Sequence, residues 1–225
     1  IDGVSLKKFE VDEDDIQKAY KKVDPQVVDA LRIAAERVRA FHIMQLKHSF
    51  KDFMDGGLGQ VVNPIENAGC YAPGGTASYP STVLMTAIPA RVAGVHQVVL
   101  ATPPGAKGEV HPLTLVAADI AEVDRVFRVG GAQGIAAMAF GTKSVPKVDK
   151  ICGPGNLFVT LAKKMVYGDV DIDGIFGPTE TVVVADDSAS PEVCAADLLA
   201  QAEHDVLSAA ILITPSAKLA KAVDK

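Results

Sequence analysis

Val98–Gly131 reads VVLATPPGAKGEVHPLTLVAADIAEVDRVFRVGG, and this stretch decides the fold. It opens on Val98-Val99-Leu100-Ala101, a run with no polar interruption, ended by Thr102-Pro103-Pro104-Gly105. Neighbouring side chains of a strand point to opposite faces of a sheet, so a run apolar at successive positions suits a strand buried on both faces. Leu113 to Ala121 then reads as a helix, and Arg125-Val126-Phe127-Arg128-Val129 as a second strand closed by Gly130-Gly131. Strand, helix and strand over this length predict a βαβ unit and therefore a parallel sheet.

The same alternation continues downstream. Ile135–Phe140 reads as a short helix, Lys150–Cys152 as a strand, and Asn156–Val166 as a helix. A further strand is expected at Thr181–Ala185, a helix at Pro191–His204 with Ser190 as its cap, a strand at Ala209–Thr214, and a helix from Ser216 to Lys225. Upstream, Asp24-Pro25 marks a helix start. Val27, Leu31, Ala34, Val38 and Phe41 recur at three-to-four spacing, which predicts a long amphipathic helix running towards Leu46. Glycines and Asn63-Pro64 break the chain after Phe50, with Val61-Val62 as a short strand between turns. The prediction is an α/β chain in three segments. Residues 1–68 begin a first α/β domain, 69–178 form a second, and 179–225 return to the first.

With 225 residues, 48% hydrophobic and 22% charged, the chain can bury a large core. A net charge of -6 and dispersed Lys and Arg argue against a nucleic-acid partner. The densest basic runs, Lys7-Lys8, Lys21-Lys22 and Lys163-Lys164, are read as solvated helix faces. Acidic Glu10–Asp15 suits a helix start, and Asp169, Asp171 and Asp173 are assigned to the surface because the calcium-loop spacing fails at Glu180. Cys70, Cys152 and Cys194 are too widely spaced for a zinc knuckle or a disulfide framework, which points to reduced thiols. No apolar run reaches the length of a membrane span and no leader is visible, so a soluble cytoplasmic protein is expected.

Three glycine-rich turns could carry chemistry: Tyr71-Ala72-Pro73-Gly74-Gly75, Val129-Gly130-Gly131-Ala132-Gln133-Gly134 and Cys152-Gly153-Pro154-Gly155-Asn156. Glycine after a strand lets backbone approach a ligand, and a following helix offers free N–H groups to a phosphate. None matches the GxGxxG fingerprint, and each alone is also an ordinary tight turn. Gln201 and His204 fall at i and i+3 of a helix, so an amide oxygen and an imidazole nitrogen can converge on one ion. That spacing alone equally suits a solvated helix end.

In order along the chain, Gly69–Gly75, Thr102-Pro103-Pro104, Val129–Gln133, Cys152–Asn156 with Phe158-Val159-Thr160, Gly177-Pro178-Thr179-Glu180, and Asp197-Leu198-Leu199 through Gln201-Ala202-Glu203-His204 resemble the histidinol dehydrogenase family. The resemblance implies two Rossmann-like domains, one inserted in the other, in an aldehyde-dehydrogenase-like architecture. It also implies a homodimer that oxidises L-histidinol to L-histidine through L-histidinal with NAD, its zinc gripping the substrate's nitrogens. Tyr71, Gln133 and Asn156 match the family's NAD-contacting positions. Gln201 and His204 match zinc ligands that also face the substrate, and Thr179 stands where many members carry a substrate-contacting Ser. The family's Glu-His proton relay and its remaining zinc ligands have no counterpart among these residues. No catalytic base is therefore expected in this chain, which opens on Ile1, stops inside a predicted helix at Lys225, and reads as part of a longer enzyme. Two other readings stay open: a relative oxidising another small alcohol such as a sulfonated diol, and a non-catalytic nucleotide- or metal-binding fragment.

Overall fold

Val98–Ala101 forms the buried middle of a parallel strand. The structure, a computed structural model, describes residues 5–6, 8–49, 51–74, 78–176, 179–203 and 207–224. Its contacts divide the chain into two compact units, Ile1–Ile175 and Phe176–Lys225.

The first unit begins with α1 (Glu13–Lys22) and α2 (Pro25–Ser49), followed by a short antiparallel hairpin, β1 (Phe53–Asp55) and β2 (Leu58–Gln60). Alternating elements follow: β3 (Asn67–Tyr71), α3 (Pro80–Val92), β4 (Gln97–Thr102), α4 (Pro112–Ile120), β5 (Arg125–Arg128), α5 (Gly131–Phe140), β6 (Lys150–Cys152), α6 (Leu157–Val166) and β7 (Asp171–Ile172). These five strands form one parallel sheet in the order β5-β4-β3-β6-β7.

Burial on both faces explains the run that opened the sequence. Val98 and Leu100 join α3 and α4 residues such as Leu84, Ile88 and Val116 in one buried cluster, which also takes in Val28, Leu31 and Ala35 of α2. Val99 and Ala101 point the other way, into a cluster with Phe127, Ile135, Met138 and Val159 from the α5 and α6 side. Each large side chain so buried contributes about 1.5–3 kcal/mol.

Local chemistry sets the helix starts. The acidic cluster begins α1 as read: Asp12 caps it, accepting from the Asp15 N–H at 3.0 Å while its own N–H donates to the Asp15 carboxylate. Asp24 accepts from the Gln26 N–H at 2.8 Å just ahead of Pro25. Ahead of α1, the chain lies antiparallel along the outer edge of β5. The Val11 N–H donates to Val126 O at 2.9 Å and the Arg128 N–H to Phe9 O at 2.7 Å. Arg125 holds the Glu10 carboxylate through two hydrogen bonds of 2.8 Å, which keeps that carboxyl below its usual range.

One local expectation changes. Val61-Val62 is not a strand; the nearby pairing is the β1–β2 hairpin, and the Val62 N–H donates instead to the Asp52 carboxylate at 2.8 Å. Helix α3 carries Pro89 inside it, a residue that argues against a helix and is accommodated here in the last turn.

The second unit is a single βαβ crossover. β8 (Glu180–Val184) and β9 (Ala209–Ile213) are parallel neighbours joined through α7 (Pro191–Ala202), and α8 (Ala217–Val223) follows. Ser190 caps α7, accepting from the Val193 N–H at 3.4 Å. Among the described residues no helix is long and apolar enough to cross a membrane.

Candidate functional site

The sheet order reverses at β3: the chain moves outward to β4 and β5 on one side, then returns to lay β6 and β7 on the other. At such a switch point the loops leaving the two central strands diverge, and the crevice at their carboxyl ends is where α/β sheets collect ligands. Tyr71 ends β3 and Cys152-Gly153-Pro154-Gly155-Asn156 leaves β6, so two of the three glycine-rich turns flank this crevice. The third, after β5, starts α5.

These turns touch one another. Tyr71 is buried, and its hydroxyl accepts the Gly131 N–H at 2.9 Å, linking the end of β3 to the first residue of α5. Gly153 has φ +122°, and a Cβ there would lie 2.1 Å from Tyr71 O, so no other residue fits without moving the strand end. A Cβ on Gly130 would lie 2.4 Å from Pro103 Cβ, which ties the third turn to the Thr102-Pro103-Pro104 loop.

Gln133 lies exposed in the first turn of α5, a helix whose N-cap, Gly130, has no side-chain cap. Asn156 is the exposed N-cap of α6, its Oδ1 accepting from the Val159 N–H at 3.1 Å. Tyr71, Gln133 and Asn156 therefore belong to three turns at one end of one sheet. Two helix N-termini there present partial positive charge. The combination fits the diphosphate-bearing cofactor of the sequence reading: glycine lets backbone approach, and the helix ends favour negative charge.

Cavities adjoin the sheet. One of about 250 Å³ opens between the loops after β3 and β4, lined by residues including Pro73, Thr102, Pro103, Lys107 and His111. A larger apolar one of about 980 Å³ lies beside α3, lined among others by Cys70, Met85, Pro89 and Cys152, and takes in none of Tyr71, Gln133 or Asn156. Cys70 and Cys152 are register partners on β3 and β6. Burial pushes the Cys70 thiol up to about 12; burial, then the negative charge of Asp173, pushes Cys152 up to about 11. Neither is a thiolate near neutral pH, which excludes them as nucleophiles there.

Sequence reasoning missed an ion pair beneath the β6 turn. Lys163, read as part of a solvated face, is 2% exposed, and its ammonium donates to Gly153 O at 3.0 Å and to the Asp173 carboxylate. Asp173, assigned to the surface, turns its carboxylate inward and accepts the Gly153 N–H at 2.7 Å. The one available signal was Lys163's place in α6, between Ala162 and Val166 on the apolar side.

In the second unit, Thr179 and Gln201 are brought together. The Gln201 amide nitrogen donates to Thr179 O and to Thr179 Oγ1, both at 2.8 Å, and Gln201 Oε1 accepts from Thr181 Oγ1 at 3.0 Å. This bonding fixes which way the amide faces and leaves its oxygen a second lone pair, so Gln201 fits a ligand's role as far as one residue can. Thr181 was not singled out from sequence, although it sits in β8 only two positions after Thr179. His204 lies outside the described residues. Among the described residues no group of three or more His, Cys, Asp or Glu side chains is placed to hold a metal.

Comparison with known proteins covers the whole chain. The family model described as histidinol dehydrogenase matches residues 1–225. A histidinol dehydrogenase of Dehalococcoides mccartyi (strain CBDB1) is 56% identical over 225 residues, 99% of this chain and 51% of the relative. One from Methanothermobacter thermautotrophicus is 52% identical over 221 residues, 97% of this chain and 52% of the relative. The crystal structure of histidinol dehydrogenase from Elizabethkingia anophelis superposes with a TM-score of 0.94 at 38% identity, covering 99% of this chain and 52% of that one. The chain spans about half the length of the relatives it matches. A family match from end to end, with the same α/β parallel-sheet fold in a solved relative, shows that this chain belongs to the histidinol dehydrogenase family.

Proposed function

We propose that the full-length protein oxidises L-histidinol to L-histidine through L-histidinal in histidine biosynthesis, with NAD as hydride acceptor and zinc at the substrate site. The observation that carries this reading is the joining of Tyr71, Gly131 and Gly153 at the switch point of the parallel sheet, in a chain matched end to end by the histidinol dehydrogenase family.

In this reading Tyr71, Gln133 and Asn156 contact NAD. The α5 and α6 N-termini favour its negative charge, and the close glycine turns bring backbone up to it. Thr179 offers a hydroxyl to the substrate, and Gln201, held by Thr179 and Thr181, presents its amide oxygen, with His204 as the neighbouring ligand. Zinc bound there would anchor the substrate's imidazole and amino nitrogens, a contribution of placement. In this reading none of the residues of this chain serves as the base that takes the alcohol proton. The protein is proposed to act as a cytoplasmic homodimer.

The test is a rate assay of the full-length protein with NAD and L-histidinol, followed at the absorbance of NADH, with and without a chelator. Steady NADH production that falls on chelation and returns with zinc is expected. No NADH with zinc present overturns the histidinol assignment, and turnover of a different small alcohol instead redirects it to another substrate.

A further inference from the structure

We propose that the Lys163–Asp173 ion pair is a positioning device for the Gly153–Asn156 turn, setting that turn in the shape in which it meets a bound nucleotide. The inference rests on the NAD reading above and assigns residues beyond it.

Lysine is almost never fully buried unless its charge is matched. At 2% exposure Lys163 sits in the row of α6 that buries Val159, Ala162 and Val166, where a methionine would fill similar space without a charge. Packing alone does not account for an ammonium there. Its contacts do: it donates to Gly153 O and to Asp173, while Asp173 takes the Gly153 N–H with its second oxygen and the Gly174 N–H with its first. Both main-chain polar groups of Gly153 are thus held by the two members of one ion pair, one on α6 and one directly after β7.

The turn needs such an anchor. Gly153, Pro154 and Gly155 carry no polar side chain, so apart from the fixed φ of Pro154 no side-chain bond of their own sets the path between Cys152 and Asn156. Gly153 is also in the left-handed region at φ +122°, against the Tyr71 carbonyl, and glycine gives up more conformational freedom on ordering than any other residue. Anchoring the turn before a ligand arrives removes that ordering cost from binding. The pair acts beneath the turn, with the Asp173 side chain 24% exposed, so its effect on the ligand runs through Gly153 and Asn156.

The experiment uses the full-length protein. Lys163→Met alone leaves an unmatched carboxylate and can cost the fold, whereas Lys163→Met combined with Asp173→Leu replaces the pair by apolar groups and leaves no lone charge behind. For the double variant, a cooperative melt at a lower temperature than wild type is expected, because Gly153 N–H and O lose their partners, with a Kd and a KM for NAD weakened roughly tenfold, kcat within about threefold, and faster amide exchange confined to Gly153–Asn156. Wild-type exchange and wild-type NAD affinity in the double variant overturn the proposal. Without any variant, the Gly153 amide of the wild-type protein must exchange slowly; fast exchange there, in a protein that binds NAD, overturns the clamp alone. A wild-type protein that binds no NAD overturns the nucleotide reading instead.

Discussion

The phenolic hydroxyl of Tyr71, at the end of β3, accepts the backbone N–H of Gly131 at 2.9 Å, so a side chain from one turn caps the helix that grows from another. Tyr71→Phe removes the acceptor and keeps the ring. A half-buried donor left without its partner costs about 1 kcal/mol, to be read as a lower midpoint in denaturant unfolding. Because the same bond registers two cofactor-side turns, NAD affinity should fall with it, measured by titration.

Gly153→Ala should be far more damaging than its size suggests. The added Cβ would meet Tyr71 O at 2.1 Å, and φ is +122°. Backbone strain and a steric overlap that no side-chain rotation relieves should together cost more than about 3 kcal/mol. A melt of the variant beside wild type checks this; an unchanged melting temperature would show that the turn can move away from β3.

Cys70 and Cys152 should be silent to thiol reagents near neutral pH in the folded protein and react once it is unfolded. Their thiols stand at about 12 and about 11 against an ordinary 9.0. Raised folded values mean that the folded state holds these protons more tightly. The stability they contribute is complete below pH 9 and is lost as pH rises through about 11 to 12. Reagent uptake by the native protein at pH 7, and unfolding curves taken from pH 8 upward, test the two halves of this statement.

Gln201→Ala and His204→Ala should each lower the zinc bound per protomer in the full-length protein. Gln201→Ala also releases Thr179 and Thr181 from the amide that joins them. Metal analysis after dialysis is the measurement, and unchanged stoichiometry in both variants would remove them as ligands.

How much of this was legible in the sequence depended on whether a residue's neighbours were close in the chain. β4 was readable because Val98–Ala101 are buried on both faces, a condition that the residue types themselves record. β3 was harder: Asn67-Ala68-Gly69-Cys70-Tyr71 has no β-branched residue, and it is a strand because β4 and β6 pair with it from both sides. The three glycine turns were visible as turns, yet their mutual contact was not, since Gly153 meets Tyr71 and Gly130 meets Pro103 across long stretches of chain. Lys163 and Asp173 were read as solvent-facing for the same reason. A lone lysine on a helix looks solvated until the fold supplies the carboxylate opposite it.

The segment Phe9–Val11 along β5 bears on how the protein behaves at high concentration. A parallel sheet exposes a ladder of unsatisfied N–H and C=O groups at its outermost strands, and one such rim can recruit the rim of another molecule. Here the rim at β5 is already occupied from within the same chain, by the bonds of Val11 to Val126 and Arg128 to Phe9, and pinned by Arg125 on Glu10. The margin at the opposite side, β7, is only two residues long and offers little to add to. Trimming the chain back past Asp12 would uncover an adhesive border on one side alone, so the shortened protein should pair rim to rim instead of growing into a chain of molecules.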